Sequence, residues 1–155
     1  MVVLASTPLG GGATLFAVDP RDGEVVNRVD LGGTGLGPIV VAPDGHTVWL
    51  LGADGLYSVD ATSGIGSVIR LPGEAEAATL TDEGRDAIVV DAGGTTTWSW
   101  TLLSVDLSTG SIIYSLALPP GGAVKSLRLP TAAVALVDGG ARALVAYGGS
   151  ALASV

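Results

Sequence analysis

The chain has 155 residues, of which 48% are hydrophobic, so its length and composition suit one domain with a sizeable core. Its formal net charge of -8 disfavours nucleic acid as a partner, because contact with the phosphate backbone requires a basic surface. The absence of cysteine excludes disulfides, thiolate metal sites and a cysteine nucleophile. The sequence shows neither an apolar run long enough to span a membrane nor a complete signal peptide.

The predicted elements are short β-strands separated by turns. Apolar runs near the start of the chain predict two strands, and the next stretch predicts four more; in chain order they cover 2–5, 14–18, 24–31, 38–42, 47–52 and 56–59. In the third run, Val25, Asn27 and Val29 share one face, as expected for a strand, whose side chains alternate between two faces. The sequence lacks long runs with helical periodicity, so we predict an all-β fold.

A five-residue motif that ends in Val-Asp repeats along the chain. It occupies 15–19, 56–60 and 102–106, each copy is followed by a turn containing glycine, and a fourth copy begins at 152. The repeat recurs roughly every 40–50 residues and holds four short strands, which is typical of a β-propeller blade. We therefore predict a partial β-propeller.

Two sequence stretches resemble a known type of propeller repeat. Residues 41–49 read Val-Ala-Pro-Asp-Gly-His-Thr-Val-Trp, and residues 56–64 read Leu-Tyr-Ser-Val-Asp-Ala-Thr-Ser-Gly. Together they resemble the YVTN-type repeat, and they are also similar to quinoprotein-type and lactonase-like propellers, which share the closing strand. The resemblance implies the repeat fold and favours an extracytoplasmic location, but it implies no particular activity.

The predicted domain is a single propeller fragment of about three and a half four-stranded antiparallel blades. The Val-Asp strand is expected at the outer rim of each blade, and the strand after its turn is expected beside the central channel. The resulting units are a half blade at 1–19 and full blades at 23–60, 64–106 and 110–155. A closed ring normally has four to eight blades, so missing blades or another copy of the chain must close it. A homodimer is the weaker alternative, because this assignment gives both chain ends the same outer strand pair.

Acidic residues recur in the turns between strands, and the predicted blades place these turns on one face of the propeller. The functional interpretation is an electronegative platform for a cation or a basic partner. The alternative is turn chemistry, because aspartate hydrogen-bonds its own turn backbone and the following glycine accepts a positive φ. No metal site is predicted, since the calcium-loop order of carboxylates is absent. The candidate binding residues in these turns are Asp19, Asp44, Asp60, Asp82, Asp106 and Asp138.

Tryptophan supplies the other binding candidates. Trp98 and Trp100 alternate within a threonine-rich hairpin and thus share a facing. Such a pair forms an exposed aromatic strip for sugars or protein partners, or it packs the hairpin on the next blade. Trp49, in contrast, is expected in the core between blades.

We predict no catalytic residue and no cofactor, because His46 is the only histidine and no G-x-S-x-G nucleophile motif accompanies it. The predicted function is a non-catalytic binding or scaffold module. It would be part of a larger propeller protein of bacterial type, with a protein or small-molecule ligand. The alternative is a fragment of a lactonase-like or quinoprotein-like enzyme whose active residues lie partly outside this chain. The polar residues expected at its channel are Asn27, Arg28, Asp30, Arg70 and Tyr114.

Overall fold

A computed structural model describes residues 2–6, 14–30, 36–52, 55–64, 66–81, 83–93, 99–119, 132–147 and 151–154. For 2–6, 36–38 and 151–153 it describes the backbone alone. The described residues form fourteen β-strands and no helix, so none of their elements is a helix that crosses a membrane. The all-β prediction is confirmed.

The strands form four antiparallel sheets that follow one another along the chain. Sheet 1 contains β1 (Val2–Ser6), β2 (Thr14–Val18) and β3 (Val25–Asp30). Sheet 2 contains β4 (Leu36–Val41), β5 (Thr47–Gly52), β6 (Gly55–Asp60) and β7 (Gly66–Arg70). Sheet 3 contains β8 (Glu74–Leu80), β9 (Asp86–Gly93), β10 (Ser99–Asp106) and β11 (Ile112–Ala117). Sheet 4 contains β12 (Ala133–Val137), β13 (Arg142–Tyr147) and β14 (Ala151–Ser154).

The core lies between successive sheets, and the central strands are buried on both faces. In β5, Val48 and Leu50 pack towards sheet 1, whereas Trp49 and Leu51 pack towards sheet 3. The same alternation in β9 and β10 fills the layers between sheets 2 and 3 and between sheets 3 and 4. A strand buried on both faces carries a continuous apolar run, as in this stretch of β5. The core position expected for Trp49 is confirmed.

The sheets converge at their first strands. β8 lies beside β4 on one side and beside β12 on the other. The first strands therefore form the inner edge, and the fourth strands β7 and β11 lie at the outer edge. The described sheets do not close into a ring. This arrangement is a partial β-propeller, as the repeat predicted.

The predicted grouping of the strands into blades is wrong, although the strands themselves agree with prediction. Leu56 of β6 pairs with Ile69 of β7, so the strand after each Val-Asp motif belongs to the same sheet. The physical reason lies in the turn: the Gly64 amide donates a 2.8 Å hydrogen bond to the Asp60 carbonyl, and Gly64 has φ of 72°. This tight turn sends the chain straight back along the strand that it has just left.

The sheets therefore span 2–30, 36–70, 74–117 and 133–154 instead of the predicted units 1–19, 23–60, 64–106 and 110–155. The Val-Asp strand is the third strand of its sheet and not the outer rim. By position, sheet 1 contains the second to fourth strands of a blade, and sheet 4 contains the first to third, within the described residues.

Candidate functional site: the turn surface

In sheets 2 and 3, two turns emerge at the same end of the sheet; they connect the first strand with the second and the third strand with the fourth. Sheet 1 contributes the turn between β2 and β3, sheet 4 contributes the turn between β12 and β13, and we call the surface that these turns form the turn surface. In sheet 2 the Ala61 amide donates to the His46 carbonyl at 2.9 Å, and in sheet 3 the Leu107 amide donates to the Arg85 carbonyl at 3.0 Å. These equivalent bonds hold the two turns of sheets 2 and 3 side by side.

The turn surface continues from one sheet to the next. Gly84, in a turn of sheet 3, lies against the ring of Pro43 in a turn of sheet 2, which leaves no room for a side chain at Gly84. Between sheets 1 and 2, the side-chain amide of Asn27 donates to the carbonyls of Ala61 and Thr62 at 2.9 and 3.0 Å. The acidic turns of neighbouring sheets are thus adjacent.

The aspartates that end β6 and β10 are fixed by their own turns. Asp60 Oδ1 accepts from the amides of Thr62 and Ser63 at 2.9 and 2.6 Å and from Ser63 Oγ at 3.0 Å. Asp106 Oδ1 accepts from the amides of Ser108 and Thr109 at 2.8 and 2.9 Å and from Ser108 Oγ at 2.6 Å. Hydrogen bonds to a carboxylate favour its charged form. The Ser63 amide is thus the main cause that lowers the pKa of Asp60, and the Ser108 hydroxyl is the main cause that lowers the pKa of Asp106 to about 2.

Asp44 is fixed in the same way in the turn before β5. Its Oδ1 accepts from the amides of His46 and Thr47, each at 2.8 Å, and its Oδ2 accepts from Thr47 Oγ1 at 2.7 Å. The Thr47 amide makes the largest contribution to lowering the pKa of the Asp44 carboxyl. The turn chemistry considered from the sequence therefore operates at Asp44, as it does at Asp60 and Asp106.

The remaining turn aspartates differ from one another. Asp19 Oδ1 accepts from the Arg21 amide at 2.9 Å. Asp138 has φ of 54°, and its Oδ2 lies 2.7 Å from Nε of Arg142 in an exposed ion pair. Asp82 lies outside the described residues. The structure thus places Asp19 and Asp138 in turns, as predicted, but Asp138 is paired with an arginine.

Trp100 is buried and does not contribute to an exposed aromatic strip. Trp100 is only 6% exposed, and its ring centroid lies 5.7 Å from that of Tyr147 in sheet 4. The packed alternative is therefore correct for Trp100, because sheet 4 covers the face of β10 on which Trp100 lies. Trp98 lies outside the described residues.

Within the described ranges, the turn surface gathers no three metal-ligating side chains around one point. Its carboxylates are instead held singly by donors of their own turns, as at Asp44, Asp60 and Asp106. Such an arrangement presents fixed negative charges, which attract cations and basic partners.

The inner edge differs from the channel that the sequence predicted. Asn27, Arg28, Asp30, Arg70 and Tyr114 lie on the fourth strands, so they occupy the outer edge and not the channel. The reason is the corrected strand grouping. Among the described residues of the inner strands β4, β8 and β12, the ionisable side chains are Glu74 and Glu76.

Sequence reasoning missed one buried acid. Asp91 in β9 is 5% exposed, and its Oδ1 accepts from the Gly73 amide at 3.2 Å. Burial raises the pKa of this carboxyl above its usual range, because desolvation disfavours the charged form. The sequence signal was a lone aspartate within the apolar run from Ile88 to Ala92.

Antiparallel sheets packed face to face and converging on their first strands define this chain as part of a β-propeller protein. No family model matches the chain, and no curated protein sequence matches it. Among solved structures, it is similar to BamB from Moraxella catarrhalis, with a TM-score of 0.70 and 16% identity over 99% of this chain and 49% of that one.

Two further solved structures are similar in fold. The β-propeller domain of Cps50 (Swd1) from Myceliophteria thermophila has a TM-score of 0.67 and 20% identity over 94% of this chain and 45% of that one. A functionally unknown protein from Desulfotomaculum acetoxidans has a TM-score of 0.64 and 13% identity, covering 91% and 42%. The chain thus spans less than half the length of each, and the likeness concerns the fold alone.

Proposed function

We propose that this chain is a non-catalytic binding or scaffold module, part of a larger propeller protein, that recognises a protein or a small ligand through the turn surface. The observation that carries the proposal is the repeated fixation of one carboxylate per turn at Asp44, Asp60 and Asp106. Binding residues are often found on loops that a rigid scaffold holds in place. These turns fit that description, because strands buried on both faces support them.

Turn chemistry and binding are compatible at these positions. Three turn hydrogen bonds converge on Oδ1 of Asp60, and three converge on Oδ1 of Asp106, while both residues stay partly exposed to solvent. The lowered pKa values keep both carboxyls ionised at neutral pH. A prearranged set of charges loses little entropy on binding, which favours a cationic partner such as an arginine-rich protein segment.

We also propose that the repeats are of the YVTN type. The support is the sequence of the two turns in sheet 2, at Asp44 and at Asp60, together with the alternation of strands around them. The enzyme alternative has no supporting observation on the described inner strands, whose ionisable side chains are two glutamates.

The test is a binding titration with an arginine-rich peptide labelled with fluorescein, followed by anisotropy at physiological ionic strength. The triple variant Asp44→Asn, Asp60→Asn, Asp106→Asn removes three charges but keeps a carbonyl oxygen for each turn. A control variant with the same charge change away from the turn surface carries Asp30→Asn, Glu74→Gln and Glu76→Gln. We expect the turn variant to bind about tenfold more weakly than wild type, and the control to bind nearly as well as wild type.

Equal weakening in both variants would mean that the peptide senses net charge alone. That result, or the absence of binding by wild type, would contradict the proposed use of the turn surface. Thermal melts of both variants establish that each remains folded.

A further inference from the structure

The outer strand β11 has one edge that pairs with no other described strand. Its partner in sheet 3 is β10 alone, and three exposed apolar side chains, Ile112, Ile113 and Tyr114, follow one another along it. Ile113 is 59% exposed. Because consecutive side chains of a strand point to opposite faces, both faces of β11 are open at this end. The strand therefore presents apolar side chains and a free edge together.

The exposure of Tyr114 is a property of the outer edge. Tyr114 pairs with Ser104, and the equivalent pair in sheet 2 is Ser67 with Ser58, since Ser104 and Ser58 both precede the valine of the Val-Asp motif. Ser67 is exposed although sheet 3 packs on sheet 2. A neighbouring sheet therefore leaves this position of the outer strand open, and the exposure of Tyr114 does not depend on a further sheet beside sheet 4.

The hydrogen bonds between β10 and β11 show which backbone groups face the free edge. The Leu118 amide donates to the Trp100 carbonyl at 2.8 Å, and this bond fixes the alternation of the ladder. In an antiparallel pair, every second residue directs its N–H and C=O to the partner strand. Tyr114 therefore bonds with β10, while Ser115 and Ala117 direct their amides and carbonyls away from it. An added strand requires this pattern of outward donors and acceptors.

β11 lacks the charges that commonly protect edge strands from pairing. Natural edge strands carry charged side chains, proline or bulges that discourage a further strand. The outer strand β3 carries Arg28 and Asp30, and β7 ends with Arg70, whereas β11 contains neither a charged residue nor proline. The bulge of β11 lies at Ile113, so its pairing is regular from Tyr114 onwards. Among the described outer strands, β11 is therefore the best suited to accept a further strand.

One end of β11 adjoins the turn surface. The turn that leads into β11 begins at Asp106, whose amide donates to the Ser111 carbonyl at 2.9 Å. Asp106 is also the cross-strand partner of Asp86 in β9, so two carboxyl groups belong to this end of the sheet. The Ser108 hydroxyl and the turn amides lower the pKa of Asp106 to about 2, which keeps it ionised at neutral pH. A segment that lies along β11 therefore meets negative charge near the turn and no charge along the strand.

We propose that the free edge of β11 is a strand-addition site, at which an extended apolar segment of a partner protein pairs antiparallel with β11 and places basic residues over the turn at Asp106. The inference rests on the function proposed above and specifies the partner as a protein and not a small ligand. In this mode of recognition, backbone hydrogen bonds supply affinity and alternate side chains supply specificity. Antiparallel pairing brings the C-terminal end of the segment to the turn surface, so its basic residues follow its apolar residues.

The first experiment compares three peptides labelled with fluorescein, whose binding is followed by anisotropy. The strand peptide has alternating valine and threonine followed by an arginine-rich end. The second peptide is the arginine-rich end alone, and the third is the strand peptide with every amide of its valine–threonine part N-methylated. We expect the strand peptide to bind about tenfold more tightly than the other two, because its backbone bonds with β11.

The outcomes separate this inference from the proposed function. Equal binding of the strand peptide and the arginine-rich end would overturn the strand-addition site and leave the proposed use of the turn surface in place. Equal binding of the N-methylated and unmethylated strand peptides would also overturn the site, because backbone pairing would not be responsible. The absence of binding by all three peptides would contradict both proposals.

The second experiment locates the site with proline variants. Ser115→Pro removes an outward amide and spares the bonds to β10, and an edge strand tolerates proline where the nitrogen faces solvent. Val68 takes the same place in β7, so Val68→Pro is the matched control. We expect Ser115→Pro to bind the strand peptide only as tightly as the arginine-rich end, and Val68→Pro to bind it as wild type does. Unchanged binding by folded Ser115→Pro, or equal loss in both variants, would overturn the site. If Ser115→Pro does not fold, the N-methylated peptide decides the question on wild-type protein.

Sedimentation equilibrium at micromolar concentration distinguishes a partner protein from a second copy of this chain. We expect the same mass for wild type and Ser115→Pro. A wild-type mass that Ser115→Pro halves would mean that the β11 strands of two copies pair with each other. That result would overturn the assignment of the edge to a partner protein.

Discussion

The side-chain amide of Asn27 donates a 2.9 Å hydrogen bond to the backbone carbonyl of Ala61, and this bond joins the outer strand of sheet 1 to a turn of sheet 2. The same Nδ2 also donates to the Thr62 carbonyl at 3.0 Å, and Oδ1 accepts from the Arg28 amide at 2.8 Å. Beside it, Gly64 lies so close that an added side-chain carbon would stand 3.2 Å from Cγ2 of Val29. A residue expected at the channel thus contributes to the packing of one sheet on the next.

Replacement of Asn27 should therefore weaken the junction between sheets 1 and 2. We expect Asn27→Ala to lower the free energy of unfolding by about 1–2 kcal/mol, because two backbone carbonyls lose their donor. Asn27→Asp should be more destabilising at neutral pH, since a carboxylate would face two carbonyl oxygens. Urea denaturation measures both, and an Asp variant as stable as wild type would contradict the role of the Nδ2 donor.

The layer between sheets 2 and 3 should be the part of the core most sensitive to truncation. Leu103 is fully buried there with Val89 and Val105. We expect Leu103→Ala to cost about 2–5 kcal/mol, because the transfer free energy is lost and a cavity remains. The exposed Val68 of the outer strand β7 provides the control, since Val68→Ala should change the stability by less than about 0.5 kcal/mol. Chemical denaturation with fluorescence detection gives both values.

The stability contributed by Asp106 should depend on pH in the acid range. Its folded pKa of about 2 lies below the ordinary value of 3.8, so the folded state favours the charged form. The contribution is complete above about pH 4 and is lost as pH falls towards 2. We expect the Tm difference between wild type and Asp106→Asn to decrease over this window. A difference that stays constant from pH 5 to about pH 2 would show that the carboxylate charge does not stabilise the turn.

Asp91 should show the opposite dependence. Its folded pKa is raised above 3.8 by burial, so ionisation of this carboxyl opposes folding, and stability is lost as pH rises through the raised value. Asp91→Asn removes the charge and keeps an acceptor for the Gly73 amide. We expect it to raise the Tm by a few degrees at neutral pH and to lose this advantage below about pH 4.

The exposed Glu74 of β8 provides a control for this prediction. Glu74→Gln should leave the Tm nearly unchanged across the same pH range. A neutral-pH Tm for Asp91→Asn equal to or below that of wild type would contradict a destabilising buried charge.

The sequence by itself determined the repeat, the all-β class and most strand bounds. These features are local, because each depends on a few consecutive residues. Examples are the alternation in β3, the continuous apolar run in β5 and the glycine with a positive φ after Asp60. The turn interpretation of Asp44, Asp60 and Asp106 was available for the same reason, since an aspartate bonds to amides two or three residues ahead.

Only the tertiary structure decided which strands share a sheet, and this moved the residues predicted at the channel, such as Asn27 and Arg70, to the outer edge. Regular repeats leave the blade boundary undetermined, because shifting the frame by one strand preserves the period. The hydrogen bonds between β6 and β7 fix that frame. The burial of Trp100 and Asp91 likewise depends on which sheet covers their strand. That covering sheet is formed by residues distant in sequence, so the local sequence does not reveal it.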